Sequence, residues 1–280
     1  MDWFGETWRV TDYLELDGEP LDRVDPGLLR AISSGHFTSM QVRGGLVRGL
    51  PFHVERLDRS SVELFGHGVP AERWRSYVRS ALERAGVADA SVRITAFTRD
   101  RAKVDQGIAV APELLVTVSA PIASTGRPLR LLAVEHERPV PHLKHTGSFS
   151  LSYYGRAAKL DGHDDALFYD RAGHVSEASI WNICFAQAGR IVWPEAAVLP
   201  GITMQVLQAG LAATGTPSET RPVPLDELAT YDAAYLTNSI DPALPVAAIT
   251  TPAGTTSYQP DPTSTAQIEK AYKAKPAQPI

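Results

Sequence analysis

Cysteine is almost absent from this 280-residue chain: the one thiol, Cys184, leaves no intramolecular disulfide framework and no multi-cysteine metal site to consider. A basic excess is missing too. Lysine and arginine number 27 against 32 for aspartate and glutamate, a net of −5 that gives no general attraction to nucleic acid and repels an anionic membrane surface. No apolar run reaches the length of a bilayer span, the longest, LLVTVSAPIA, being interrupted by Ser119 and Pro121. The opening MDWFGETWRV carries no basic then apolar leader, so the cytoplasm is the expected compartment. There is no GxGxxG, no P-loop and no cysteine nucleophile motif, and His53, His67 and His163 fall at no metal-ligand spacing. What is present is an ordinary globular mixture, 44% hydrophobic and 21% charged.

A chain of this length exceeds what one compact core usually reaches, and two packed domains are expected. Residues 1–50 alternate short β-type runs with turns such as DGEP and RGG. The period then lengthens. Val54, Leu57, Ser61 and Leu64 share a helical face between Phe52 and Phe65, and Trp74, Tyr77, Val78, Ala81, Leu82 and Ala85 share another between Ala71 and Ala85. Gly86 stops the second helix, and SVRITAFTR and ELLVTVSA follow as strands. The stretch 119–128, SAPIASTGRP, has the composition of a linker. The reading is therefore a small N-terminal α/β domain over 1–118, an interdomain linker over 119–128 and a larger C-terminal domain over 129–280. In the latter, RLLAVEH, ALFYD, WNICFA, RIVWP, AAYLTNS and PVAAIT read as strands, with helices after Ser150, Gly201 and Ser264. This is an α+β mixture without internal repeats, and the Pro- and Thr-rich stretch 250–265 reads as an exposed loop.

Three groups in the second half carry chemistry. Lys144 is followed by Glu177 in GHVSEASIWN, with Asn182 close behind, and then by the turn LPGIT, Leu199 to Thr203, which opens a helix. An amine that condenses with an aldehyde, a carboxylate that keeps a pyridine nitrogen protonated and a helix start that offers N–H groups to a phosphate are the requirements of pyridoxal 5'-phosphate. Each also has a plainer reading. Lys144 is flanked by His142 and His145 as a surface cluster would be, Glu177 suits a solvated turn, and LPGIT suits any turn before a helix.

Taken in order, FHVERL, Lys144, GHDDALFYDRAGHVSEASIWNICF, VLPGIT and YLTNSIDPALPV make the chain resemble the fold-type IV pyridoxal-phosphate enzymes, or class IV aminotransferases, from Gly35 to Val246. That group includes branched-chain aminotransferases, D-amino acid aminotransferases, amine transaminases and aminodeoxychorismate lyases. The resemblance implies a two-domain, D-amino acid aminotransferase-like fold with the cofactor bound between the domains, and a homodimer. It implies that Lys144 forms the Schiff base and then acts as general base, and that Glu177 faces the pyridine nitrogen, buttressed by Asn182. Arg56 matches the arginine that grips the phosphate, Ile202 and Thr203 match the donors of the phosphate-binding helix, and Ser239, beside Thr237 and Asn238, matches the turn that completes the phosphate cup. Without that context Arg56 is an exposed helix arginine paired with Glu55 or Asp58, and Ser239 is a polar strand end.

At the substrate end, Phe37 and Thr38 fall where the family lines its pocket, and Thr38 also matches the threonine of the FTT-type motif of aminodeoxychorismate lyases. Arg99 and Arg101 fall near a loop that supplies carboxylate-binding groups in some D-amino acid enzymes. Two positions depart from the pattern: Ala178 replaces a frequent glycine, and Phe149 stands where branched-chain aminotransferases carry a tyrosine. The implied activity is transfer of an amino group between an amino acid or amine and a 2-oxo acid. A carbon–oxygen lyase of the aminodeoxychorismate type is the alternative. A non-catalytic cofactor-binding homologue is a third reading, and it would require loss of Lys144 or Glu177, both of which are present.

Overall fold

Strict alternation sets the first sheet. In HFTSMQV, His36, Thr38, Met40 and Val42 are buried while Phe37, Ser39 and Gln41 are partly exposed, the period of two that a strand covered on one face must show. The computed structural model describes residues 12–21, 23 and 26–280, and the chain divides into two units, Met1–Ile122 with Gln278–Ile280 and Ala123–Ala277. The division lies within the stretch read as a linker, but the last three residues return to the first unit instead of staying with the second.

The first unit contains β1 (Tyr13–Leu16), β2 (Glu19–Pro20), α1 (Pro26–Ile32), β3 (His36–Val42), β4 (Leu46–Val47), α2 (Leu50–Phe65), α3 (Ala71–Ala85), β5 (Ala90–Phe97), α4 (Arg101–Asp105) and β6 (Glu113–Ser119). Five strands pair antiparallel in the order β2-β1-β6-β5-β3. Helices α2 and α3 cover one face, where Met40, Leu57, Trp74, Val78, Ile94 and Val116 form the core. Gly66 ends α2 in the left-handed region, at φ 69°, and its N–H bonds the Val62 carbonyl, a termination that glycine makes without a Cβ clash. The final strand of the chain, β16 (Gln278–Pro279), pairs with β4, and Ile280 is buried in the same core. Arg75 and Arg79 donate to the carbonyls of Pro279 and Ile280, each at 3.2 Å.

The second unit contains β7 (Leu129–Glu135), α5 (Phe149–Leu160), β8 (Asp165–Tyr169), β9 (Val175–Ala178), β10 (Asn182–Gln187), β11 (Arg190–Pro194), α6 (Ile202–Thr214), β12 (Ser218–Arg221), a 3-10 turn (Leu225–Thr230), β13 (Ala233–Thr237), β14 (Leu244–Thr251), β15 (Gly254–Ser257) and α7 (Pro262–Lys273). The strands β10-β13-β14-β7-β8-β9 form a closed ring, because β9 also pairs with β10 through Glu177 and Asn182. Leu131, Leu167, Ile183, Phe185, Leu236 and Val246 fill its interior. Outside, α6 and α7 pack on β10, β11 and β13 through Cys184, Trp193, Leu207, Leu211, Tyr235 and Ile268. A Cβ on Gly210 would run into the Ala271 carbonyl, so glycine there lets the two helices approach.

The stretch 250–265 is a correction to the sequence reading. It closes the β14–β15 hairpin and starts α7, where Asp261 accepts from the N–H groups of Thr263 and Ser264 at 3.1 and 2.9 Å. The stretch is largely exposed, but its threonines pair strands and Asp261 caps a helix, so it is regular structure and not a loop.

Candidate active site

The closing joint of the ring gathers most of the residues singled out in the second unit. Glu177 and Asn182 are direct partners between β9 and β10, and Asn182 is in turn the partner of Thr237 between β10 and β13. Glu177, Asn182 and the sequence-distant Thr237 thus stand side by side, since residues opposite one another in register share a face. All three are buried. Glu177 and Asn182 then hold the LPGIT turn from both sides: the Leu199 N–H donates to Glu177 Oε2 at 3.2 Å, and Asn182 Nδ2 donates to the Leu199 carbonyl at 2.8 Å. Gly201 lies so close to Asn182 Oδ1 that any Cβ would overlap it. From this anchored turn α6 begins, with no side chain among the described residues capping its N-terminus. The first-turn N–H groups of such a helix lack intrahelical partners and carry the positive end of its dipole. Ile202 and Thr203, both buried, occupy that turn. Ser239 is half-buried just after β13, in a turn that Asn238 organises by accepting from the N–H groups of Ile240 and Asp241.

Lys144 is half-buried in the irregular segment between β7 and α5. That segment is clasped by Arg138, which donates to the Leu143 carbonyl at 2.9 Å, and by His145 Nε2, 3.2 Å from the Pro139 carbonyl. Val140 within it has φ 46°, a strained value for a β-branched residue that the surrounding bonds must hold. Arg138 also lies 3.7 Å from Glu177 Oε1, both side chains being almost fully buried. At that distance the contact is an ion pair and not a hydrogen bond. Burial raises the Glu177 carboxyl to about 7, opposed by Arg138, the Leu199 N–H and Lys144. Lys144 is thus close enough to favour the carboxylate. The same burial, reinforced by the Arg138 charge, holds His136 and His145 below the ordinary imidazole value. Glu177 is only 5% exposed, which rules out the solvated-turn reading.

Two buried oxygens at this joint, Glu177 Oε1 and Thr237 Oγ1, have no hydrogen-bond partner among the described residues. Such atoms are rare and ask for an explanation. A protonated ring nitrogen suits the first and a phosphate oxygen suits the second, so the donor set fits pyridoxal phosphate. Phe149, in place of a tyrosine, is 81% exposed at the start of α5 and stacks on Tyr153.

In the first unit Arg56 lies on the buried face of α2 and is 7% exposed, so it is not the surface arginine of the plainer reading. Thr38 is a correction. It was expected to line a pocket, but its side chain faces α2, is 0% exposed, and places Oγ1 2.7 Å from His53 Nδ1. The strand's alternation leaves Phe37 and Ser39 on the other face, where Arg93 of β5 lies 3.6 Å above the Phe37 ring. Arg93 is itself exposed, and the packing around it lowers its guanidinium. Arg99 and Arg101 line a separate cleft of about 610 Å³ between α1 and α4, together with Arg30, Ser33 and Ser34. There Arg99 is paired with Glu113, and Arg101 lies 3.7 Å from Asp105.

Arg138 and Arg93 were not singled out by sequence. The signal for Arg138 was its place in the proline-bounded run ERPVPHLK; for Arg93 it was a cation inside an otherwise apolar strand.

The family model described as amino-transferase class IV matches residues 35–249. No curated protein gives a sequence match. Among solved structures, the branched-chain aminotransferase of Thermoproteus uzoniensis with norvaline is 23% identical, with a TM-score of 0.79 and 93% of each chain covered. The branched-chain amino acid aminotransferase of Escherichia coli is 16% identical at a TM-score of 0.78, covering 94% of this chain and 93% of its own. A hypothetical aminotransferase of Mycobacterium tuberculosis in its PLP-bound form is 20% identical at a TM-score of 0.75, covering 94% of this chain and 98% of its own. At these identities the likeness concerns the fold.

Proposed function

The chain belongs to the class IV amino-transferase family, and from that premise we propose that it moves an amino group between an amino acid or amine and a 2-oxo acid, with Lys144 as the catalytic amine. Pyridoxal phosphate is the cofactor. The observation that supports this reading is the Glu177–Asn182–Leu199 arrangement, with Arg138 and Lys144 beside it and two buried oxygens that lack hydrogen-bond partners among the described residues.

The bound cofactor supplies an aldehyde carbon for the Lys144 amine and a ring that draws electrons away from the substrate Cα. Glu177 Oε1 holds the proton on the ring nitrogen, and Arg138 favours the carboxylate form that does so. Asn182 fixes the LPGIT turn, so the start of α6 presents its N–H groups to the phosphate. Thr203, Thr237 and Ser239 would add hydroxyls, and Arg56 is proposed to supply a guanidinium for the phosphate. Lys144 Nζ would act as the base that takes the substrate Cα proton. On the first unit, the Phe37–Arg93 face is the substrate-binding candidate. Its guanidinium has no carboxylate partner among the described residues and can meet a substrate carboxylate.

The lyase alternative is not favoured by Thr38, whose hydroxyl is bonded to His53. We further propose that the enzyme works as a homodimer in the cytoplasm. Borohydride reduction of the cofactor-loaded protein, followed by peptide mapping, should label Lys144, and Lys144→Ala should lose the label while retaining some cofactor. Labelling at another lysine refutes the assignment.

A further inference from the structure

Behind Arg56 runs a buried polar seam for which a hydrophobic core has no use. Four side chains bridge β3 and α2 in two pairs: His36 Nε2 lies 2.8 Å from Ser61 Oγ, and Thr38 Oγ1 lies 2.7 Å from His53 Nδ1. All four are essentially inaccessible. Burying such groups is unfavourable unless every bond is made, and apolar residues of similar shape would stabilise the contact at least as well. What the pairs do achieve is direction. A hydrophobic contact is non-directional, whereas two short hydrogen bonds fix where α2 sits on β3, both along its axis and about it.

His53 and Arg56 are three residues apart on α2 and occupy the same buried face. The helical turn that the Thr38–His53 bond pins is therefore the turn from which Arg56 projects. His36 stands on the next inward position of β3, close enough to Arg56 to feel its charge. Burial and that charge push the imidazole down to about 4, so it is neutral at physiological pH and adds no repulsion to the arginine.

We infer that Thr38 and His53 are positioning residues for Arg56: their hydrogen bond sets the seat of α2 and with it the aim of the guanidinium that is proposed to bind the cofactor phosphate. This rests on the phosphate role proposed for Arg56. A guanidinium binds phosphate through a planar fork whose value depends on aim, so a displaced helical turn loses contact without losing charge.

The test is a double-mutant cycle read on two ligands. Thr38→Val, Thr38→Ser, Arg56→Ala and Thr38→Val/Arg56→Ala are prepared without cofactor, and affinities for pyridoxal phosphate and for pyridoxal, which lacks the phosphate, are measured with unfolding temperatures. Thr38→Val is expected to weaken pyridoxal phosphate binding about fivefold to tenfold, the loss of one hydrogen bond, and to leave pyridoxal binding unchanged. Thr38→Ser should restore it, and in the Arg56→Ala background the valine should have no added effect. Should the valine variant fail to fold, Thr38→Ala removes the hydroxyl without setting a methyl against the imidazole and is read in the same way. Equal weakening for both ligands, or a fall in unfolding temperature alone, overturns the inference, as does full additivity with Arg56→Ala. If Arg56→Ala itself leaves pyridoxal phosphate affinity intact, the phosphate role falls and the inference with it. If Arg56→Ala weakens binding and Thr38→Val does not, only the inference falls.

Discussion

Replacing Arg138 with glutamine should destabilise the cofactor-free protein by an amount that grows with pH. Two contributions are involved. The first is the bond to the Leu143 carbonyl, worth about 1 kcal/mol and insensitive to pH. The second is the charge of Arg138 on Glu177, 3.7 Å away, which at an effective dielectric of 20 amounts to about 4.5 kcal/mol as an upper bound. Removing it moves the carboxyl up from its value of about 7 by as much as roughly three units. The sign follows from where Glu177 ionises. Its folded value lies above the usual carboxylate value, so folding favours the protonated form, and stability falls as pH rises from the unfolded value toward 7. Near pH 6 Glu177 is already protonated in the parent, and the variant loses only the carbonyl bond. At pH 8.5 the parent gains about 2 kcal/mol from ionising beside Arg138, a gain the variant forgoes. The expected loss is therefore about 1 kcal/mol at pH 6 and about 3 kcal/mol at pH 8.5, measured by urea unfolding. An equal loss at both pH values would refute the electrostatic role and leave Arg138 as a loop clasp alone.

Glu177→Gln should remove the fall in stability that Glu177 contributes between about pH 4.5 and 7 in the cofactor-free protein, leaving the opposite contribution of the depressed histidines; a pH profile identical to the parent's would assign the fall elsewhere. Gly201→Ala forces a Cβ onto Asn182 Oδ1 and should weaken cofactor binding and reduce stability by about 1–3 kcal/mol, whereas Gly210→Ala, which meets the Ala271 carbonyl, should lower stability without a specific effect on phosphate affinity. Arg93→Leu should raise KM for amino acids by tenfold or more and leave carboxylate-free amines little changed, as steady-state kinetics with matched pairs would reveal. Ile280→Ala should destabilise the first unit by about 2–4 kcal/mol, because its side chain is part of that unit's core.

Helices α2 and α3 were legible because 3.6-residue stripes and a terminal glycine state both the element and its end. The face of β3 was not. Alternation distinguishes two faces without saying which is inside, and polar His36 and Thr38 on the core side gave the wrong hint. Hydrophobicity assigns a face only when the core is made of hydrophobic residues, and this seam is made of hydrogen bonds. Lys144, Glu177, Asn182 and the LPGIT turn could be picked out by residue type and order, yet their mutual geometry depends on β9–β10 pairing. Strand β9 is four residues long, VSEA, with too little alternation to announce itself. Arg138 escaped notice for a related reason: its partner is 39 residues away, and no local pattern encodes an ion pair formed by ring closure.

That closure explains why these groups sit where they do. An open sheet edge leaves backbone groups unpaired, whereas a ring joined through β9 and β10 removes both edges at that point. The residues at the joint are thereby held from two sides, Asn182 by Glu177 and by Thr237. Polar side chains placed there inherit the rigidity of the ring, and the turn at Leu199 inherits it from them through two further bonds. The start of α6 is consequently fixed by the same joint that fixes Glu177, which ties the spacing between the helix end proposed to face the phosphate and the carboxylate proposed to face the ring to a single structural feature. A ligand that must be gripped at one end and tuned electronically at the other needs that spacing constant to within a fraction of an ångström. Mutations that loosen the joint should therefore weaken phosphate affinity and proton retention together, whereas mutations in α5 or α7 should leave that pairing of effects untouched.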